Sequence, residues 1–364
     1  MKTMKMNRIL WLLVLQGLLG IAAMAAPFDC GSTGTYGAMN ISNNTTLQLP
    51  TNGIFNCTTI TVAFGATLTF SKNSFNSPVY LLATGDVVIN GTIDVSAIGR
   101  IGGPGGFDGG YGGMYFSTSP TAGDGYGPGG GKGSSGYGSF AGTYGNQLLV
   151  PLIGGSGGAG RDGSPGLDGG GGGGAVLIAS NTKITVNGVV LSYGRTAVAY
   201  GGYGSGGAIR LVAPSVGGGG NLRACNIDGF NGPFGRIRID CPDIQAYRAL
   251  TMIGNASRGS RMMVFPAVIP ALDIIAVAGN AIPEGTNSPV LFELPVGAST
   301  NQTVLVQARN YTNDVPIRVL VTPENGPSGT FEATILQSSG NPPSTNVPVI
   351  IPAGRVSQIN VWTR

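Results

Sequence analysis

The chain contains 364 residues, of which 65 are glycine and only 10% carry a charge. Histidine is absent, which excludes Ser-His-Asp triads and histidine-based metal sites. Without Lys2, Lys5 and Arg8, 17 basic and 16 acidic side chains remain, a net charge of +1. So small a charge argues against nucleic acid as a partner. Together with 42% apolar residues, it favours a chain that works in an assembled state.

Residues 1–25 are typical of a secretory signal peptide. A basic start is followed by the apolar run 9–21 and by a small-x-small cleavage site at residues 23–25. The apolar run is shorter than the roughly 20 residues that a membrane-spanning helix needs, and no later run is long enough. The sequence therefore predicts a secreted protein, extracellular or at the cell surface, without a membrane span.

The four cysteines all follow the signal segment. An even number of cysteines in an exported chain predicts disulfide bonds. Four cysteines allow three pairings, of which we favour Cys30–Cys57 and Cys225–Cys241 because each pair is close in sequence. A metal site is the weaker alternative, since the chain has no CxxC motif and no histidine.

Four segments share one pattern: an apolar run, a short polar turn, a β-branched triplet, often Asn-Gly, another strand and a glycine. They are residues 79–99, 176–194, 209–229 and a fourth segment from Gly235. Repeated short strands bury their inner faces on one another when they stack. Residues 26–256 are therefore predicted to form a right-handed parallel β-helix, a solenoid, with Val88, Ile93 and Ile184 among the inward residues. An antiparallel sandwich of hairpins is the alternative, because Asn-Gly turns fit hairpins equally well.

A glycine-rich insert, at about residues 99–174, interrupts this domain. Three interpretations compete: a disordered linker, packed polyglycine helices with three residues per turn, or a calcium site. The calcium ligands would be Asp108, Asp124, Asp162 and Asp168.

The insert is also rich in aromatic residues, in which disordered linkers are poor. This favours ordered packing. The rings would anchor a glycine layer or stack against a partner, and the candidates for such interactions are Tyr111, Tyr115, Tyr126, Tyr137 and Tyr144.

Composition changes sharply near residue 270, where glycine becomes sparse and beyond which all four glutamates lie. Seven alternating strand-like runs follow at short spacing, among them PVLFELPV at residues 289–296. Residues 271–364 are therefore predicted to form an immunoglobulin-like β-sandwich, joined to the first domain by a linker at 257–270.

No motif of catalysis or of cofactor binding emerges, so the chain is predicted not to be an enzyme. Two carboxylates facing one bond would be needed for glycoside hydrolysis. The Arg236–Asp240 segment, RIRID, could imitate the acid and base cluster of a polysaccharide lyase. It is better interpreted as the outward face of a strand whose Ile237 and Ile239 point inward.

Two glycine-to-strand stretches carry a family resemblance: GGGGGGAVLIASNTKITVNG at residues 169–188 and GSGGAIRLVAP at residues 204–214. In these stretches the chain resembles glycine-rich β-helical surface proteins of Gram-negative bacteria, a group that includes adhesins and extracellular fibre subunits. The resemblance covers about residues 45–241. It implies secretion, a parallel β-helix and a role in surface structure or attachment, and it brings no catalytic residues.

The sequence thus predicts a secreted structural protein, a subunit of an extracellular filament or surface layer that has copies of itself as partners. The alternative is a cell-surface adhesin that binds carbohydrate or a neighbouring surface. A β-helix polysaccharide-degrading enzyme is a remote third possibility. No cofactor is expected apart from the calcium considered above.

Overall fold

The computed structural model describes residues 27–114, 121–163, 167–197, 200–227, 232–243, 248–283, 286 and 289–364. The predicted signal segment lies outside these residues. The regular elements of the described chain are strands and one short 3₁₀ turn at Gln337–Ser339, which confirms an all-β fold. Within it, no helix is both long and apolar enough to cross a membrane.

The strands of the first part of the chain are short, and nearly all pair in parallel. They are β1 Gly37–Ile41, β2 Thr45–Gln48, β3 Ile54–Val62, β4 Thr67–Ser71, β5 Val79–Ala83, β6 Val87–Ile89, β7 Thr92–Asp94, β8 Gly113–Met114, β9 Asp162–Gly163, β10 Ala175–Ser180, β11 Lys183–Val186, β12 Val189–Leu191, β13 Ala208–Val212, β14 Ser215–Gly217, β15 Asn221–Arg223, β16 Arg236–Asp240, β17 Thr251–Ile253 and β18 Asn255–Gly259.

Two parallel sheets are built from these strands, one of ten and one of six strands among the described residues. The chain passes through the larger sheet and then the smaller, and each pass, here called a rung, pairs with the pass before it. Ile178 of β10 pairs with Leu81 of β5 on one side and with Leu211 of β13 on the other. Equivalent residues therefore lie above one another from rung to rung.

Apolar residues that alternate along the strands fill the space between the sheets. Ile93, Ile184, Ile237 and Ile239 are fully buried in one core with their counterparts on other rungs. Val88 was predicted to point inward, but it is only half-buried, whereas Val87 and Ile89 on either side of it are fully buried. The predicted alternation of inward residues was therefore displaced by one residue in this strand. A displacement of one residue moves a side chain to the opposite face of a strand.

The outer face of the larger sheet is covered rather than exposed. A second core joins Leu82, Leu177 and Val212 to Cys30, Leu149 and Leu152, with Met262 and Phe265 packed against it. Beneath this cover Asp240 accepts hydrogen bonds from two arginines, Arg210 Nη2 at 3.0 Å and Arg238 Nη2 at 2.7 Å. Of the outward side chains of RIRID, Arg238 and Asp240 are therefore buried in an ion-pair network, while the half-buried Arg236 donates to Tyr144 O.

The predicted disulfide bonds are wrong. All four cysteines lie within the described residues, and each is buried with a free thiol. Cys57 faces the core between the sheets, whereas Cys30 packs on the outer face of the larger sheet. There the Cys30 thiol donates to Ala83 O at 3.3 Å. Cys241 lies in the inter-sheet core, and its thiol donates to Pro214 O at 3.4 Å. Closeness in sequence therefore did not bring these sulfur atoms together, and burial makes the cysteines small apolar side chains here.

The last part of the chain forms antiparallel sheets of four and three strands among the residues that can be described. Their strands are β19 Ala271–Val277, β20 Asn280–Ala281, β21 Asn301–Arg309, β22 Val315–Pro323, β23 Gly329–Ile335, β24 Ser344–Ile350 and β25 Ser357–Thr363. The two sheets share one core that contains Val306, Val319 and Val347. Residues 289–296, predicted as a strand, carry no strand pairing. Phe292 nevertheless packs against the shared core, while Leu291 is 86% exposed.

Candidate functional site: an aromatic and arginine cluster on a glycine layer

The glycine-rich insert packs as a layer of extended segments, here called the glycine layer (the described parts of residues 99–174 and 194–207). Its backbone hydrogen bonds recur at every third residue. Gly155 N donates to Gly173 O and Gly158 N to Gly170 O, while Gly110 N donates to Gly158 O. A spacing of three is the period of an extended threefold helix, which leaves its backbone free to bond to several neighbours.

Glycine is required in this layer because backbones approach each other too closely for a side chain. A Cβ atom on Gly138 would lie 2.5 Å from Ala159 O and 2.7 Å from Gly202 N, and one on Gly154 would lie 2.6 Å from Gly105 O. These described segments are therefore packed polyglycine segments rather than a linker.

The four candidate calcium ligands lie in separate hydrogen-bond networks, and each accepts from donors of its own surroundings. Asp108 pairs with Lys72 Nζ at 3.0 Å, and Asp168 accepts from Gly112 N at 2.7 Å. Asp162 accepts from Ala122 N at 2.8 Å, and Asp124 accepts from Lys132 Nζ at 2.8 Å. Among the residues that are described, no group of three or more potential metal ligands occurs. The structure thus uses these carboxylates to hold backbone N–H groups and lysines.

The glycine layer also carries the C-terminal sheets. The buried carboxylate of Asp124 accepts from both the backbone N and the hydroxyl of Ser328, at 3.0 and 2.7 Å. Trp362 of β25 packs edge-on to Phe107 with ring centres 5.5 Å apart, and Tyr144 lies 6.0 Å away on the same indole. A charged and an aromatic contact therefore both join the layer to the C-terminal part.

Three of the five candidate tyrosines serve the layer itself. Tyr111 lies under the Arg100 guanidinium at 3.7 Å. Burial raises the pKa of Tyr126 to about 12, with a smaller contribution from neighbouring Tyr111. Tyr144 packs on Trp362, and burial raises its pKa as well. Tyr115 lies outside the described residues.

The remaining candidate, Tyr137, lies in an exposed group of four rings and one arginine, here called the aromatic cluster: Tyr137, Phe140, Tyr200, Tyr203 and Arg161. Phe140 and Tyr203 stack in parallel with ring centres 4.7 Å apart. Tyr137 and Tyr200 meet edge-to-face at 5.2 Å, and the Arg161 guanidinium lies 4.8 Å from the centre of Tyr200. Tyr137, Tyr200 and Phe140 are 73%, 59% and 52% exposed.

No protein-family model, curated protein or solved structure matches this chain significantly. The resemblance to glycine-rich surface proteins therefore stays a prediction. Function has to be argued from the chain itself.

Sequence reasoning found only one member of the aromatic cluster, although a usable signal exists. Tyr137 and Phe140 are three residues apart, as are Tyr200 and Tyr203. In a helix with three residues per turn, this spacing places both rings on one face. The two segments lie side by side, because Gly138 N donates to Tyr200 O and Ala141 N to Tyr203 O. Tyr200 and Tyr203 follow the insert in sequence, and backbone hydrogen bonds of their segment join them to it.

A second surface feature is an open groove of about 620 Å³ where the Asn-Gly turns of two rungs stack. Asn187 Nδ2 donates to Asn90 Oδ1 at 2.9 Å, so the two turns form a short amide ladder. Phe64 borders the groove with 90% of its surface exposed. The groove carries no charged residue in its lining.

Proposed function

We propose that this chain is a secreted structural protein, a subunit of an extracellular filament or surface layer. In this proposal the rungs form a right-handed parallel β-helix, and the C-terminal sheets form an immunoglobulin-like sandwich that the glycine layer holds in place. Support comes from the parallel pairing in register, from the low charge and from the unpaired strands at both ends of the stack.

The main support for this proposal is that the strands at both ends of the parallel sheets have one edge without a pairing partner in the described structure. At the first end, β1 pairs only with β3 and β2 only with β4, and at the other end β17 and β18 each have one partner in the described structure. These four strands contain a single charged residue, Arg258. Exposed strand edges are normally blocked by charge, proline or a covering segment. Because both ends present strands of one direction, a second copy stacked end to end would continue the parallel ladder. Such a contact does not close on itself and gives a fibre.

A proline at the second end tests this assembly. Asn255 N–H donates to Gly235 O on the neighbouring rung at 2.9 Å, so by alternation the N–H of the exposed Ala256 points away from the stack. Ala256→Pro removes that outward donor and leaves the ladder to β16 in place, whereas Ala256→Ser keeps the donor.

The secreted chain and Ala256→Ser are expected to form regular polymers in negative-stain images and to pellet in the ultracentrifuge, while Ala256→Pro remains dispersed. Dispersed monomers of the unmodified chain at high concentration would contradict the proposal.

The second candidate function is that of an adhesin that binds carbohydrate. The aromatic cluster favours it, because monomeric proteins seldom expose contiguous aromatic surface without a binding role. Deletion of residues 102–170 is then expected to abolish attachment to cells while the rungs remain folded, as judged by far-ultraviolet circular dichroism. Unfolding of the deleted chain would instead assign the glycine layer to the scaffold.

We propose no catalytic activity for this chain. Asp240 and its two arginines, the nearest approach to a lyase cluster, are buried under the segment that contains Met262 and Phe265. A substrate would have to displace that cover to reach them.

A further inference from the structure

Within the described residues, Arg161 differs from the other arginines of the glycine layer because its guanidinium has neither a counter-charge nor a hydrogen-bond acceptor. Arg100 lies 3.8 Å from Asp168 and donates to Tyr111, and Arg195 donates to Ala97 O at 2.6 Å. Among the residues that the structure describes, the Arg161 side chain makes no hydrogen bond and no ion pair, and its Nε is buried without a hydrogen-bond partner. The buried Nε is out of a ligand's reach, but the Arg161 side chain as a whole is only half-buried. Its two Nη groups are therefore the donors that an acidic ligand could bind.

The arginine is held in place by its backbone and by two rings. Its N–H donates to Leu167 O at 3.0 Å, and a bridge pairs it with Ser134. The guanidinium lies 4.8 Å from the centre of Tyr200 and 5.9 Å from that of Tyr137. Cation–π contacts stabilise the charge at this distance but leave the planar donor edge without an acceptor.

The backbone at Tyr200 adopts an unfavourable conformation. Its φ is 69°, in the left-handed region that residues other than glycine seldom adopt and that costs about 1–3 kcal/mol. Its carbonyl nevertheless accepts from Gly138 at 3.0 Å. Conformations of this kind persist mainly where surrounding structure or function requires them, and this one brings the ring to the exposed cluster.

We propose that the aromatic cluster binds an acidic polysaccharide with a carboxylate on its sugar ring, a polyuronate. The apolar C–H face of a sugar would stack on the exposed rings of Tyr137 and Tyr200. The carboxylate would accept paired hydrogen bonds from the two Nη groups of Arg161. This inference rests on the adhesin proposal and is independent of filament assembly.

Charge distinguishes this ligand from the alternatives. Nucleic acid needs several cations along its backbone, whereas the cluster has one arginine. A neutral glycan would use the rings and leave the Arg161 donors unsatisfied. A second copy of the chain would need a complementary carboxylate patch. Asp124, Asp162 and Asp168 of the glycine layer are already occupied by donors.

The test compares polygalacturonate with its fully methyl-esterified form, which differs only in the carboxylate, by titration calorimetry with the full secreted chain. Arg161→Gln removes the charge, Arg161→Lys keeps it without the planar fork, and Tyr137→Ala removes the most exposed ring. Phe64→Ala, which removes an exposed ring outside the cluster, is the matched control. Unfolding midpoints of all variants confirm that the fold is intact.

We expect polygalacturonate to bind and its ester to bind weakly. Arg161→Gln and Tyr137→Ala should each weaken binding about tenfold or more, with Arg161→Lys between wild type and Arg161→Gln and Phe64→Ala unchanged. Equal binding of the ester, or full binding by Arg161→Gln, would overturn the acidic ligand while leaving the adhesin proposal standing. Binding of neither polymer, nor of any neutral glycan, would overturn both. If Tyr137→Ala abolishes filaments without changing glycan binding, the cluster is a subunit contact instead.

Discussion

Gly138→Ala should destabilise the protein, and the direction of the change distinguishes a packed glycine layer from a linker. The added Cβ would lie 2.5 Å from Ala159 O and 2.7 Å from Gly202 N. Those two atoms are joined by a 2.8 Å hydrogen bond between Gly202 and Ala159. The methyl group would therefore separate a donor from its acceptor as well as overlap both.

The magnitude follows from three contributions. Overpacking costs about 1–3 kcal/mol, and loss of one hydrogen bond costs about 1 kcal/mol. Alanine also restricts the unfolded chain, which offsets about 0.4–1 kcal/mol. The net loss in unfolding free energy is about 1–3.6 kcal/mol. In a flexible linker only the last contribution would act, and the substitution would stabilise the protein slightly.

Urea unfolding followed by Trp362 fluorescence measures this change. Trp362 is the one tryptophan that follows the predicted signal segment, and it packs on Phe107 of the glycine layer. Gly142→Ala is the matched control in the same layer, because a Cβ there meets no atom closer than 3.6 Å. We expect Gly142→Ala to leave the midpoint unchanged or raise it. A Gly138→Ala variant as stable as Gly142→Ala would refute close packing of the layer.

Four further predictions concern the joint between the glycine layer and the C-terminal sheets, and the buried thiols. Trp362→Ala should cost about 2 kcal/mol, roughly half the value of a fully buried ring, and should speed proteolysis at residues 260–270; an unchanged cleavage rate would argue against docking. Asp124→Asn replaces a carboxylate that accepts four hydrogen bonds, so it should also lower stability and speed proteolysis at residues 260–270. Ser328→Ala should lower stability less. Burial raises the pKa of Cys57 from 9.0 to about 11. The unfolded chain therefore loses this proton first, and stability should fall between pH 9 and 11, less steeply in Cys57→Ala. A thiol reagent should detect four thiols in unfolded, unreduced protein and none in folded protein. Fewer than four thiols in the unfolded protein would show that disulfide bonds form after all.

The aromatic cluster shows what sequence reasoning could and could not reach. Tyr137 was found because an aromatic ring is unexpected in a glycine run, and the period of three could also have found Phe140. The same spacing relates Tyr200 to Tyr203, but it does not indicate which segment they join, and Arg161 carried no such signal. Their proximity depends on which glycine segments lie side by side, and glycine backbones without side chains encode no preference for a neighbour.

The cysteines and the calcium candidates show a related limit. The residue types of Cys30, Cys57, Asp108 and Asp124 indicated which partners these side chains can bind. They did not indicate which groups lie next to them in the fold. Cys30 and Cys57 lie on opposite faces of the larger sheet, and each aspartate reaches a donor in its own network.

By itself, the sequence determined the all-β class, the repeated strand unit and the change of character near residue 270. These properties follow from local alternation and composition, which act over a few residues. Tertiary structure alone decided that the insert packs as a layer and that Arg161 lies beside Tyr137 and Tyr200 without a counter-charge among the described residues. It also decided that Arg238 and Asp240 of RIRID are buried. The physical reason is that backbone hydrogen bonds between distant glycines, such as those from Gly170 to Gly202 and from Gly155 to Gly173, depend on contacts that no local pattern specifies.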